Sequence, residues 1–209
     1  MYRVYGDSIS GNCYKIKLVL HELDLPYEWE EIDILSGDTR RPGFLARNPN
    51  GKVPVLDVEG QGSLAESNAI LLYLADGTHL VPTDPYQRAL LWQWLFFEQY
   101  SHEPYIATSR FIVRYLGRPA DREEELQARR TPGYRALDVM ERRLGNHDFL
   151  VADQYTVADI ALFAYTHVAD EGGFSLDAHP AIRDWVDRIR AREAFLPMYS
   201  EATRQPDAV

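Results

Sequence analysis

The spacing of apolar and polar positions divides the chain into two stretches that follow different rules. Arg3–Tyr5 is a short β-like segment ended by Gly6-Asp7-Ser8. Beyond it Ile16, Val19, Leu20 and Leu23 recur at i, i+3, i+4 and i+7, the single stripe of an amphipathic helix. Asp24-Leu25-Pro26 ends that helix, and Tyr27–Ile34 resumes an extended pattern. The polar run Ser36–Asn50 is punctuated by Gly37, Pro42, Gly43 and Pro49 around one helical turn at Phe44–Ala46. Val53–Val58 and Gly62–Ala65 read as a hairpin around Glu59-Gly60-Gln61, and Ser67–Leu74 as a helix closing at Gly77. The order β-α-β-(α)-β-β-α suits a small mixed sheet with helices on its faces.

Leu80–Pro85 carries two prolines and marks a linker over residues 78–86. After it only helical periods remain. Tyr86–Tyr100 is apolar at Leu90, Leu91, Trp94, Leu95 and Phe97, which predicts a helix buried on most sides. Asp121–Gln127 predicts a solvated helix, and Pro132 predicts the start of a new one, with Leu137, Met140 and Leu144 on its face. Thr156-Val157-Ala158-Asp159 fits a capping box, with Tyr155 and Ile160 as its staple, so Asp159 is read as structural. Pro180 opens a last helix with Ile182, Val186 and Ile189 as its stripe. The expected organisation is an α/β domain at 1–77, the linker, and an all-α domain at 87–209.

Composition narrows the function. Hydrophobic residues make up 45% of 209 and charged residues 26%, values of a folded domain rather than a disordered one. Net charge −10 repels a phosphate backbone, which argues against nucleic acid. No apolar run approaches the ~20 residues of a membrane span, and no basic region followed by an apolar one opens the sequence. Cys13 is the only cysteine, which fits a reducing compartment, so a cytoplasmic location is expected. The six histidines show no metal-ligand spacing, and no phosphate-binding glycine loop is present, so no metal is expected.

Three segments carry a resemblance: Asn48-Pro49-Asn50-Gly51-Lys52-Val53-Pro54-Val55-Leu56, Leu64-Ala65-Glu66-Ser67-Asn68-Ala69-Ile70, and the capped Ala158-Asp159-Ile160. With the late helix from Pro180-Ala181-Ile182-Arg183-Asp184-Trp185 to Phe195, they span nearly the whole chain in one order and spacing. The sequence resembles the glutathione transferase superfamily. That resemblance implies a thioredoxin-like N-terminal domain, an all-helical C-terminal domain, a homodimer, glutathione as cosubstrate and a hydrophobic electrophile as second substrate.

The resemblance also implies roles for particular residues. Val53-Pro54 looks like the family's cis-proline turn, whose Val53 backbone would pair with the cysteinyl backbone of the tripeptide. Glu66-Ser67 stands at a strand end and helix start, where free N–H groups suit the γ-glutamyl carboxylate. There the Ser67 hydroxyl would donate to that carboxylate and Glu66 would receive the ammonium, unless Ser67 serves only as a cap. Lys52, and Thr39 or Arg40, are placed for the glycyl carboxylate. Lys15, Lys17, Lys52, Arg40 and Arg41 supply local positive charge against the acidic whole.

The thiol is the reactive part. Ser10 falls where serine-type members carry their catalytic serine, and Asn12 where some bacterial members carry a thiol-contacting asparagine. Tyr5 is the rival donor, and Ser10 or Asn12 could equally be a plain helix cap. Cys13 lacks a C-x-x-C partner, so dithiol chemistry is not expected of it. For the electrophile wall Tyr105, Arg110 and Phe111 are candidates.

Overall fold

A computed structural model of the chain describes residues 1–199. They form two compact units: Met1–Thr78 joined by residues 193–199, and His79–Arg192.

The first unit runs β1 (Tyr2–Gly6), α1 (Gly11–Glu22), β2 (Tyr27–Glu31), a 3-10 turn (Asp38–Arg40), α2 (Pro42–Leu45), β3 (Val55–Val58), β4 (Gly62–Ala65) and α3 (Ser67–Ala75). The sheet order is β2-β1-β3-β4, with β1 parallel to β2 and antiparallel to β3, the thioredoxin-like arrangement. A parallel pair needs a crossover, and α1 provides it. Strand alternation then assigns the faces. Tyr5 and Val55 oppose each other on β1 and β3 and pack with Ile32 and with Phe44 of α2. Gly6, on the other face, must be glycine, because a Cβ there would stand 2.5 Å from the Trp29 ring and 3.1 Å from Cys13 Sγ of α1. Helix α3 packs beside α1. The residues after Glu193 dock on α1, where Tyr14 Oη donates to Leu196 O and His21 Nδ1 meets Ala194 O at 2.8 Å.

The second unit is helical: α4 (Pro85–Phe97), α5 (Glu103–Arg110), α6 (Glu123–Leu144), α7 (Val157–Thr166) and α8 (Pro180–Arg190). Two π-helical turns, Glu98–His102 and Phe111–Tyr115, extend α4 and α5 into one continuous run. Every residue of α7 is buried, so this helix is the unit's core. Its capping box is formed as the spacing predicts.

Two helical expectations are corrected. Pro132 does not begin a helix but lies inside α6. Leu126, Gly133, Leu137, Met140 and Leu144 bury one face on both sides of it, and that tertiary gain outweighs the ~3 kcal/mol that an interior proline costs. Helix α4 is not buried on most sides. Leu91, Trp94 and Leu95 point inward, while Trp92, Phe96 and, beyond the helix, Tyr100 stand 47%, 73% and 87% exposed along one stripe. Hydrophobicity alone does not say which apolar face a chain covers itself.

Candidate active site

The loop between β1 and α1 is fastened before it reaches Ser10. Asp7 Oδ1 accepts from Ile9 N at 3.0 Å, and Ser10 N donates to Asp7 O at 3.1 Å. Glu31, at the end of β2, accepts from Ser8 N at 2.7 Å, from Ser8 Oγ, and from Trp29 Nε1 at 2.7 Å. Burial pushes the Glu31 carboxyl up, but these donors outweigh it and hold it below the usual range. Lys17 Nζ lies 3.8 Å from the Trp29 ring centre and completes the cluster.

Ser10 ends the loop as the N-cap of α1, extended at φ −75° and ψ 126°, with Oγ accepting from Cys13 N at 3.4 Å. Capping uses the hydroxyl oxygen as acceptor, so the one hydrogen is kept for a second partner. The side chain is buried at a helix N-terminus, where partial positive charge favours an anion.

The starts of α1 and α3 meet through side chains. Ser67 Oγ donates to Asn12 Oδ1 at 3.2 Å. Lys15, fully buried on α1, donates from Nζ to Ser67 Oγ and to Asn68 Oδ1, both at 3.3 Å. Ser67 therefore does not cap α3. Glu66 holds the N-cap position without a side-chain cap bond, at φ 69°. A non-glycine residue in that region costs roughly 1–3 kcal/mol, which the flanking β4 and α3 must impose.

A third group borders the turn before β3. The Val53–Pro54 bond is cis, with Pro54 buried and Val53 half-buried against the Tyr5 cluster. Asn48, buried, holds the turn open: Nδ2 donates to Lys52 O at 2.7 Å, and Oδ1 accepts from Asn50 N at 3.0 Å. Lys52 is exposed, Thr39 is buried and Arg40 exposed. The two segments touch at Gly51, where a Cβ would stand 2.5 Å from Arg40 Nη1 and 3.1 Å from Thr39 O. Gly51 at φ +64° thus allows both the turn and the close approach of Arg40.

Tyr5 is core, 4% exposed, with Arg47 Cζ 4.6 Å over its ring and its hydroxyl engaged by Asp57. Cys13 is fully buried and accepts from Asp7 N at 3.4 Å; burial pushes its thiol up to about 12. In the second unit Arg110 is 1% exposed and its Nε donates to Glu171 at 2.7 Å. Tyr105 is half-buried, and Phe111 stacks on Tyr115 with centroids 5.1 Å apart. Among the described residues no group of His, Cys, Asp and Glu could hold a metal, and no helix is long and apolar enough to cross a membrane.

Sequence reasoning did not assign roles to Glu31 or Asn48, and it gave Lys15 only a share in the local positive charge. Asn48 was readable in part, since Asn-Pro-Asn-Gly is a turn sequence. Lys15 had no local signal: its partners lie 52 and 53 positions away.

Comparison with known proteins identifies the family. The description "Glutathione S-transferase, N-terminal domain" matches residues 9–76, and "Glutathione S-transferase, C-terminal domain" matches residues 95–193. A glutathione S-transferase crystal structure from Pseudomonas fluorescens Pf-5 superimposes with TM-score 0.93 at 56% identity, covering 95% of this chain and 99% of that one. The disulfide-bond oxidoreductase YfcG of Escherichia coli K12 is 32% identical over 190 residues, 88% of this chain and 87% of its own. Ure2p in complex with glutathione superimposes with TM-score 0.81 at 27% identity, over 92% of this chain and 90% of that one. The chain belongs to the glutathione S-transferase family.

Proposed function

We propose that the protein is a glutathione transferase that joins the glutathione thiolate to an electrophilic small molecule, a detoxifying conjugation. The observation that carries this reading is the meeting of Asn12 and Ser67 at 3.2 Å across the starts of α1 and α3, with Ser10 two residues before Asn12. Glutathione fits such a surface. Its γ-glutamyl carboxylate takes the Ser67 hydroxyl and the α3 N-terminus, its ammonium takes Glu66, and its cysteinyl backbone pairs with Val53 beside Pro54. Lys52, with Thr39 or Arg40, serves the glycyl carboxylate.

The chemical task is to hold a thiolate. A free cysteine thiol near pKa ~8.5 is only about 3% ionised at pH 7, and lowering it by ~2 units requires ~2.7 kcal/mol. A hydrogen bond to a charged sulfur supplies about 1.5–3 kcal/mol and a helix N-terminus about 0.3–1 kcal/mol. Ser10 with the start of α1 is therefore of the right order, and Asn12 adds a second donor. The thiolate lone pair then forms a C–S bond to the electrophilic carbon while the leaving group departs with its bonding pair. Tyr105, Arg110 and Phe111 are proposed for the electrophile side. The exposed stripe of Trp92, Phe96 and Tyr100 supports a homodimer, and the buried lone thiol of Cys13 suits the cytoplasm.

A second reading, glutathione-dependent disulfide reduction, is favoured by the relative YfcG, a disulfide-bond oxidoreductase. There the thiolate attacks one sulfur and expels the other as thiolate; a second glutathione thiolate then attacks the glutathione sulfur of the mixed disulfide, forming glutathione disulfide and expelling the remaining substrate thiolate. Parallel turnover of an aryl halide and a small dialkyl disulfide separates the two. Conjugation in excess is the expected result, and disulfide turnover without conjugation would replace the first reading by the second.

A further inference from the structure

Glu31 is the last residue of β2, and nothing in the proposed reaction uses it directly. The parallel register sets it beside Gly6, where β1 ends, and Ile32 N donates to Gly6 O at 2.9 Å. The chain then turns. Ser10 N donates to Asp7 O at 3.1 Å, so Ser8 and Ile9 are the central residues of a β-turn. A carboxylate holds each of them. Asp7 Oδ1 accepts from Ile9 N at 3.0 Å, and Glu31 Oε1 accepts from Ser8 N at 2.7 Å. Glu31 reaches Ser8 a second time, since its Oε2 accepts from Ser8 Oγ at 2.5 Å. The Ser8 hydroxyl thus gives its only hydrogen to Glu31, and it accepts from Lys17 Nζ at 3.4 Å, a group that can only donate. Trp29 Nε1 gives its only hydrogen to Glu31 Oε2 at 2.7 Å, from an indole that a Cβ on Gly6 would meet at 2.5 Å. The carboxylate is therefore held in its charged form by three donors, two of them from Ser8.

We propose that Glu31 is a positioning residue: its double hold on Ser8 sets the turn that delivers Ser10 to the start of α1, where Ser10 meets the substrate sulfur. Glu31 touches neither sulfur nor electrophile and acts through Ser8. This inference rests on the glutathione reading above, in which Ser10 is a thiolate donor. Geometry and charge act with opposite sign here, which separates them. A carboxylate near a thiolate raises the thiol pKa by like-charge repulsion, so its removal as a charge lowers that pKa. A clamp that seats the hydrogen-bond donor lowers the thiol pKa, so its removal as a clamp raises it.

The test begins without ligand. Ser8→Ala removes the hydroxyl prong and changes no charge, and Glu31→Gln leaves one oxygen for the donors that the carboxylate serves with two. In the free protein both should speed hydrogen exchange at the Ser10 backbone amide about tenfold, and Ser8→Thr, which keeps the hydroxyl, should restore the wild-type rate. An unchanged rate in either variant would overturn the clamp whatever the protein binds. With glutathione, both variants should raise the bound thiol pKa by about 1 unit. Affinity at about pH 5.5, where the bound thiol stays protonated, should change less than about threefold, because Val53, Glu66 and Ser67 are untouched. In a Ser10→Ala background Ser8→Ala should no longer move the thiol pKa. A fall of that pKa in Glu31→Gln, or an equal rise from Ser8→Ala in both backgrounds, would overturn the inference with the glutathione reading intact. Wild-type protein that binds no glutathione would instead remove that reading, and the inference with it.

Discussion

Asp159 offers a prediction whose size follows from counted contacts. Its carboxylate is fully buried and accepts from Leu150 N and Trp185 Nε1 at 3.0 Å on Oδ1, and from Thr156 N at 2.9 Å and the Thr156 hydroxyl at 3.1 Å on Oδ2. Asp159→Ala strands three N–H donors in the core of the second unit. At about 1–3 kcal/mol for each unsatisfied buried donor, and allowing for partial relaxation, the cost should be about 3–5 kcal/mol. Asp159→Asn keeps the Oδ1 pair but sets its own NH2 against Thr156 N, a loss of about 2 kcal/mol.

The same group has a pH signature. Burial raises the carboxyl to about 6 against the pull of its hydrogen bonds. The folded value lies above the unfolded ~3.9, so the associated stability is present in full below the unfolded value and is lost as pH rises through the folded one. Between pH 7 and pH 5 the wild type should gain about 1 kcal/mol that Asp159→Asn does not. The Asn penalty should therefore be larger at pH 5 than at pH 7. Denaturant unfolding at both pH values measures it. An alanine cost under about 1 kcal/mol would refute the satisfied-donor account, and a pH-independent Asn penalty would refute the titration argument.

Ser10→Ala should raise the pKa of bound glutathione by about 1–2 units and lower melting stability by only about 0.5–1 kcal/mol, the value of a long cap bond; an unchanged pKa would transfer the role to Asn12 or Tyr5. Cys13, with its thiol pushed up to about 12, should resist iodoacetamide in the native protein at pH 8 and react only on unfolding. Fast native labelling, read by mass spectrometry, would contradict that burial. Gly133→Ala sets helix propensity, a gain of about 1 kcal/mol, against a Cβ placed 2.4 Å from Phe174 Cε1. Phe174 is itself 1% exposed and cannot swing away, so the clash should win and the melting temperature should fall. A rise would mean that the Phe174 site is looser than its packing implies.

What could be read from the sequence were features settled within a few positions. The Thr156–Asp159 box spans four residues, the Glu59-Gly60-Gln61 turn three, and the α1 stripe repeats within two helical turns. Pro132 misled because a local helix breaker was overridden by burial of Leu126 and Leu137 on either side of it. Trp92, Phe96 and Tyr100 misled because an exposed apolar face has the same composition as one facing the core. The return of the chain to α1 at Ala194 and Leu196 rests on backbone carbonyls, which have no residue signature. At the candidate site, Ser10, Asn12, Val53, Pro54, Glu66 and Ser67 could be named in advance because they sit in short motifs. The Lys15–Ser67–Asn12 order could not, since it exists only once α1 and α3 are packed together.

The central claim is that this protein binds glutathione and lowers the pKa of its thiol. Titration of glutathione into the purified protein, followed by the pH dependence of thiolate absorbance in the complex, tests it most directly. The account predicts saturable binding with a thiol pKa about 2 units below that of the free tripeptide. Binding with an unshifted pKa, or no binding, would contradict it and leave Ser10 as a helix cap alone.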